Sequence, residues 1–416
     1  MSSVAVCIIV ENLPVPLDRR VWREAQALAK AGYRVSVVCP QGVGFEASHE
    51  TLDGVEIYRH RVWEASGSQL GYLVEYGWAL VAEFLLALRI YARTRFRILQ
   101  GCNPPDTIFL IAFFFKLFGV RFIFDHHDPS PELYGLKFHR RSFLYRLVCL
   151  AERLTFRTAD VVIATSDSCR EIAIGRGRVS PDRIFVVRTC PDLNEFRPQP
   201  ARPELKQGRK YVVVYVGLMS PQDGLGLLLE SIRHFVKRAN RHDTLFVLIG
   251  PGPELPRLKV SVAATDLDPW VKFTGPLYGD KLHAYLATAD VGVAPDPSND
   301  FNDKLSMIKI LEYMAYGLPV VLYDLIEGRR LACGAALYAR GNNPTDFAEQ
   351  IAKLLDSESL RRHVGAIGRK RITERLNWGV EKRTLLKAYQ AALPELQACP
   401  SRQESMAAEP TSFHPN

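Results

Sequence analysis

Apolar and polar positions along the chain alternate in two rhythms. Residues 4–10 form an unbroken apolar run, the mark of a strand covered on both faces. After it, Asp18 can cap a helix whose Val21, Trp22, Ala25, Leu28 and Ala29 share one face. Gly32 ends that helix, and 34–39 is a second apolar strand, so the opening predicts a β-α-β unit and a parallel sheet. A helical pattern follows over 73–94, with strands at 98–100, 121–124, 157–164 and 186–191. Residues 192–210 hold Pro198, Pro200 and Pro203 among Arg, Lys and Gln without an apolar period, which reads as a linker. The β-α-β rhythm restarts at 211–217, with a helix to Lys237 and a strand at 244–249. Strands at 271–275 and 289–295 and helices near 344–355, 359–372 and 376–394 complete the pattern. The expected fold class is therefore α/β, two Rossmann-like domains at 1–192 and 211–375 joined by 193–210, then a helix over 376–396 and a disordered polar tail over 397–416.

Residues 302–324 read as a helix, a stop and a buried strand. Asn302, Asp303 and Ser306 offer N-cap oxygens, Gly317 and Pro319 end the helix, and 318–323 is a valine-rich run. Met307, Ile308, Ile310, Leu311, Met314 and Ala315 share one broad stripe; Leu305, Lys309, Glu312 and Tyr316 take the other side. Lys309 and Glu312 are i,i+3 neighbours, and pattern alone leaves them as either a weak surface ion pair or part of a site.

At 416 residues the chain is too long for one compact core. Its 47% hydrophobic and 24% charged content is that of a globular protein. A net charge of +8 points to phosphorylated ligands, an anionic membrane surface or nucleic acid. Nucleic acid ranks last, since no recognisable nucleic-acid module interleaves basic and aromatic residues. Eight cysteines without C-x-x-C spacing predict neither a disulfide framework nor a zinc site, and no signal peptide is visible over 1–20; both fit a cytoplasmic protein. Residues 108–124 are the most apolar segment, but Lys116, Gly119 and Arg121 break it, so a buried helix and strand are expected in place of a membrane span. The first strand is not followed by G-x-G-x-x-G, which disfavours a dinucleotide dehydrogenase. The loop 11–17, with Asn12, lies where open α/β sheets bind ligands.

Residues 312–321, E-Y-M-A-Y-G-L-P-V-V, resemble the donor-site signature of retaining glycosyltransferases of family 4. Residues 271–275, 289–295 and the His127-Asp128 pair resemble further family segments in order. The resemblance implies the GT-B architecture, with two Rossmann-like domains facing a cleft and the helix 376–396 crossing back to the first. It implies that Glu312 binds the ribose of a nucleotide sugar and that His127 lies close to the reacting sugar. Two features depart from the pattern: 217–224, G-L-M-S-P-Q-D-G, lacks the usual Arg and Lys, and Lys304 replaces a glutamate. A departing diphosphate still needs neutralising, so Lys309 with Lys304 is expected to do it, while backbone at Gly217, Gly250 and Gly252 lines the donor and the Asn12 loop meets donor or acceptor. The implied function is retaining sugar transfer from a nucleotide sugar to a glycan or lipid-linked acceptor in cell-surface polysaccharide or glycolipid synthesis, with neither metal nor cofactor. A nucleotide-sugar epimerase and a catalytically inactive sugar-nucleotide-binding partner stay open as alternatives. Arg89, Arg93, Arg95, Arg97, Lys116, Arg121, Lys137, Arg140 and Arg141, with Phe113, Phe114, Phe115 and Phe138, suggest peripheral docking on the inner face of the membrane.

Overall fold

The computed structural model describes residues 3–63, 69–138, 142–197 and 199–393. They build two parallel sheets. The first takes β1 (Ala5–Ile9), β2 (Arg34–Pro40), β3 (His49–Leu52), β4 (Val55–His60), β5 (Ile98–Cys102), β6 (Arg121–His126), β7 (Val161–Ala164) and β8 (Ile184–Val186) in the order β3-β4-β2-β1-β5-β6-β7-β8. Only β3 and β4 pair antiparallel. The second takes β9 (Tyr211–Val216), β10 (Thr244–Ile249), β11 (Val271–Gly275), β12 (Val291–Ala294), β13 (Val320–Tyr323) and β14 (Ala336–Ala339) in the order β11-β10-β9-β12-β13-β14. Helices cover both faces of each sheet, as parallel strands require, and two apolar clusters per sheet form the cores.

Local chemistry explains many of the boundaries. Asp18 accepts the Val21 amide at 3.0 Å and starts the helix Arg19–Lys30. Gly317, at φ +68°, ends the helix Ile308–Ala315 in a conformation that a side chain would disfavour. The helix Trp378–Ala392 packs on the first sheet, with Leu385, Ala388 and Tyr389 inside its core. Burying Leu385 and Tyr389 is worth roughly 1.5–3 kcal/mol each. The Tyr389 hydroxyl donates to Gln100 Oε1, and Glu381 accepts the Arg188 amide at 3.0 Å.

Several expectations change. The hairpin of β3 and β4, turning at Asp53-Gly54, has a short and largely exposed first strand that carries little apolar signal. The last strand of the first sheet is Ile184–Val186, and residues 187–191 lie beyond it. The helix after the 302 loop starts at Ile308, with Met307 at its cap and no side-chain cap bond. Asn302 instead donates to the Gln222 and Pro297 carbonyls at 3.1 and 2.9 Å, and Asp303 accepts the Ile326 amide at 3.2 Å. Bonds to distant loops have displaced the local caps. The helix Phe109–Lys116 buries Ile111, Ala112 and Phe115 but leaves Leu110 and Phe113 exposed, so it is buried on one side only. Arg140, Arg141, Pro198 and the tail 397–416 lie outside the described residues. Among the described residues no helix is long and apolar enough to cross a membrane.

Candidate active site

The carboxyl ends of strands from both sheets meet across a cleft of about 510 Å³, within the usual range for small-molecule sites. His127 follows β6, Thr165 follows β7, Gly217 follows β9 and Gly250 follows β10, and all four line it. This is the edge at which open α/β sheets bind ligands.

The helix Ile308–Ala315 forms part of the wall on the second-domain side. Its polar side is not solvated: Lys309 and Glu312 are only 8% and 6% exposed, and both line the cleft. They do not pair with each other. Lys309 Nζ lies 2.8 Å from Asp296 Oδ1 and 3.5 Å from Asp223 Oδ1, and over the Tyr215 ring. Burial would lower the Lys309 pKa, but Asp296 and then Asp223 outweigh it and raise it, so the ammonium stays charged. Glu312 has a looser partner, Arg19, at 3.6 Å. Burial pushes its carboxyl up to about 7, against the pull of Arg19 and Arg23.

On the first-domain side, Arg20 holds the cleft wall together. Its Nη2 lies 2.7 Å from Asp125 Oδ1 and 3.1 Å from Glu24 Oε1, and Nη1 donates to the Val187 carbonyl at 2.7 Å. Gln100 Nε2 donates to Glu24 and Asp125 at 2.8 and 3.1 Å. His127 Nε2 sits 2.8 Å from Asp125 Oδ2. Burial opposes protonation of His127, and the Asp125 carboxylate outweighs it, so the imidazole is raised above its ordinary value. Buried Asn103 orients this loop by accepting the His127 and Asp128 amides at 2.7 and 3.3 Å and donating to the Asp128 carbonyl at 2.7 Å. Cys102, Asp125 and His127 come close enough for a metal, but Arg20 already supplies the positive charge that Asp125 needs.

Of the residues expected in the site, His127, Gly217, Gly250, Lys309 and Glu312 line the cleft. Gly250, at φ +142°, is glycine because a Cβ there would stand 1.8 Å from the Gly217 carbonyl. Gly252, Lys304 and Asn12 are not among the lining residues. Gly252 packs on the Met219 backbone, with a Cβ position 2.3 Å from its carbonyl. Lys304 Nζ donates to the Asp300 carbonyl at 2.6 Å, and its own carbonyl accepts Ser166 Oγ at 2.8 Å across the domain boundary. Asn12 is exposed. Sequence reasoning missed Arg19, Arg20, Asp223 and Asp296. The one available signal was Asp18-Arg19-Arg20 opening a helix just beyond the first strand's carboxyl end.

The comparisons with known proteins agree with this geometry. Residues 17–190 match the family described as "Glycosyl transferase 4-like domain", and residues 210–357 match "Glycosyl transferases group 1". D-inositol 3-phosphate glycosyltransferase of Geodermatophilus obscurus is 29% identical over 273 residues, which are 61% of this chain and 57% of that one. The chain thus spans a little over half the length of the curated relatives it first matches. Sucrose-phosphate synthase from Thermosynechococcus elongatus has the same fold, with a TM-score of 0.77 at 18% identity over 94% of this chain and 100% of its own. Anabaena HepE in complex with UDP-glucose superposes with a TM-score of 0.68 at 15% identity over 93% of this chain and 99% of its own. The fold is GT-B. With one such domain on each side of the cleft, the chain belongs to the GT4-type glycosyltransferases.

Proposed function

We propose that the chain is a retaining glycosyltransferase that moves a sugar from a nucleotide sugar to a hydroxyl of a glycan or lipid-linked acceptor. The observation that carries this is Glu312. It is a buried carboxylate facing a ligand-sized cleft, held by one loose ion pair, on the helix that bears the E-Y-M-A-Y-G-L-P-V-V stretch. Such a group suits the two hydroxyls of a ribose, whose donors would replace the water it has lost. HepE, which holds UDP-glucose in the same fold, supports a nucleotide-sugar donor.

In the proposed mechanism the diphosphate departs and the acceptor hydroxyl attacks on the same face. The leaving phosphate takes the acceptor proton, so neither a dedicated base nor a metal is required. With Nε2 of His127 engaged by Asp125, Nδ1 is the ring nitrogen left for the reacting sugar. Lys309 contributes positive charge, although Asp296 and Asp223 already share it. Arg19, half exposed at the cleft, is the more available cation for the growing charge.

We place the acceptor side near a membrane. Leu110, Phe113, Leu117 and Phe118 are exposed on and just after the helix Phe109–Lys116, and Phe143, Leu147 and Leu150 on the helix Phe143–Thr158 packed against it. Arg89, Arg93, Arg95 and Arg97 are exposed on and after the helix Gln69–Thr94. Phe115 is core, and Lys116 and Arg121 are held by Asp160 at 2.8 and 3.4 Å. An apolar patch with basic residues nearby suits an anionic lipid surface and a product destined for the cell envelope.

The test is calorimetry of purified protein with nucleoside diphosphates, followed by transfer assays with a panel of nucleotide sugars. Binding lost in Glu312→Gln supports the reading. Binding that persists with no turnover of any donor would mark the chain as an inactive sugar-nucleotide-binding partner.

A further inference from the structure

A second cluster of ligating side chains lies outside the cleft, at the carboxyl edge of the first sheet. Glu11 follows β1, His60 closes β4, and Glu83 projects from the helix Gln69–Thr94. One ligand atom from each lies within 4.8 Å of the others. His60 and Glu83 are only 6% and 2% exposed.

The imidazole geometry is informative. His60 Nδ1 lies 3.2 Å from the Arg61 carbonyl, a partner that can only accept, which leaves Nε2 as the nitrogen turned to the cluster. Nε2 stands 3.0 Å from Glu11 Oε2, yet the two atoms are not aligned as a hydrogen bond, and neither has another hydrogen-bond partner among the described residues. Two buried polar atoms left without a hydrogen bond are costly, and a shared cation would satisfy both. Ligand atoms bound at ~2.0–2.2 Å to one zinc ion sit roughly 3.0–3.5 Å apart. A ligating histidine that donates its other nitrogen to a backbone carbonyl is also the usual support for a metal ligand. Glu83 lies in the same cluster, with a carboxylate oxygen within 4.8 Å of both ligand atoms.

We propose that Glu11, His60 and Glu83 form a site for a divalent transition-metal cation, tying the carboxyl ends of β1 and β4 to the helix Gln69–Thr94. One imidazole and two carboxylates suit zinc or manganese, and three protein ligands leave a coordination position for water. The proposal does not rest on the donor-site reading, since none of the three residues lines the cleft.

The test uses the full chain, stripped with chelator and dialysed against Zn²⁺ or, in parallel, Mn²⁺. Bound metal per chain and the thermal midpoint are read for wild type, His60→Gln and Glu83→Gln. Wild type should retain about one equivalent more metal than either variant. Its Tm should rise by about 2–5 °C with metal, and the variants should not respond. Glu83→Gln keeps the side chain's size and removes one of two adjacent buried carboxylates, so its metal-free Tm should match or exceed that of wild type. Its loss of metal is then not unfolding. Equal metal content in wild type and His60→Gln, or a Tm unmoved by both ions, would overturn the proposal and leave a carboxyl pair sharing a proton.

Discussion

Glu312 carries a cost in stability and, under the proposed function, a role in one carboxylate. Its folded pKa of about 7 lies above the ordinary glutamate value, with burial as the main cause and Arg19 opposing. Between about pH 4.5 and 7 the folded state therefore keeps a proton that the unfolded state gives up, and stability falls as pH rises through this window. Glu312→Gln removes the penalty, so above pH 7 the variant should be at least as stable as wild type in a thermal melt. Its affinity for a nucleoside diphosphate should nevertheless drop by about 10- to 100-fold, since charge-assisted hydrogen bonds contribute roughly 1.5–3 kcal/mol. Wild-type affinity should weaken as pH falls below 7. Unchanged calorimetric affinity in the variant would remove Glu312 from the ribose role. Lys309 tests differently. Lys309→Ala should lower kcat by about 10²-fold and also destabilise, because Asp296 and Asp223 lose their partner, at about 3–5 kcal/mol for a broken buried pair. Adding Asp296→Asn should restore the melting temperature without restoring kcat. If kcat returns as well, Lys309 acts only through folding.

At the scale of elements, the two domains hold each other by helix ends. Buried Glu327, on the helix Ile326–Ala332, accepts the Ser168 amide and hydroxyl at 3.2 and 2.9 Å and the Asp167 amide at 3.4 Å. It thereby caps the helix Asp167–Gly175 of the opposite domain. Arg330 reinforces the contact through Glu171 at 2.7 Å. Glu327→Gln should cost roughly 1.5–3 kcal/mol and loosen the domain pairing, seen as a larger radius of gyration in solution scattering. An unaltered radius and Tm would show the contact to be incidental. Several element boundaries were legible where the signal was local, though the strand expected over 157–164 begins only at Val161, after a helix that runs to Thr158. Asp18 caps through its carboxylate, and Gly32 and Gly317 stop their helices at positive φ, as expected. The caps at 302–306 were not legible, because Asn302 and Asp303 find partners in loops as distant in sequence as Gln222 and Ile326.

For the whole molecule, the exposed patch on the helices Phe109–Lys116 and Phe143–Thr158 predicts binding to anionic vesicles at low salt and release at high salt, at about 1 kcal/mol per basic residue engaged. Phe113→Ser should reduce cosedimentation several-fold without changing turnover of a water-soluble acceptor. Wild type that fails to sediment at low salt would rule the docking out. Under the proposed function, with Arg19 and Lys309 serving the donor, sugar transfer itself should not depend on added Mg²⁺ or Mn²⁺. Activity that appears only on adding either ion would count against the proposed donor site.

The sequence by itself determined the class of fold and which stretch of the second domain walls the cleft. Unbroken apolar runs specify strands buried on both faces, and the stretch from Lys309 to Val321 carries its chemistry in residue order. Only the tertiary structure decided which charges are free. Lys309 looked available, but Asp296 and Asp223 enclose it; Arg20 is bound by Asp125 and Glu24, and Arg19 is left facing the cleft. Electrostatic pairing acts through space, so neighbours 13 or 105 residues apart along the chain leave no trace in the local pattern that sequence periodicity records.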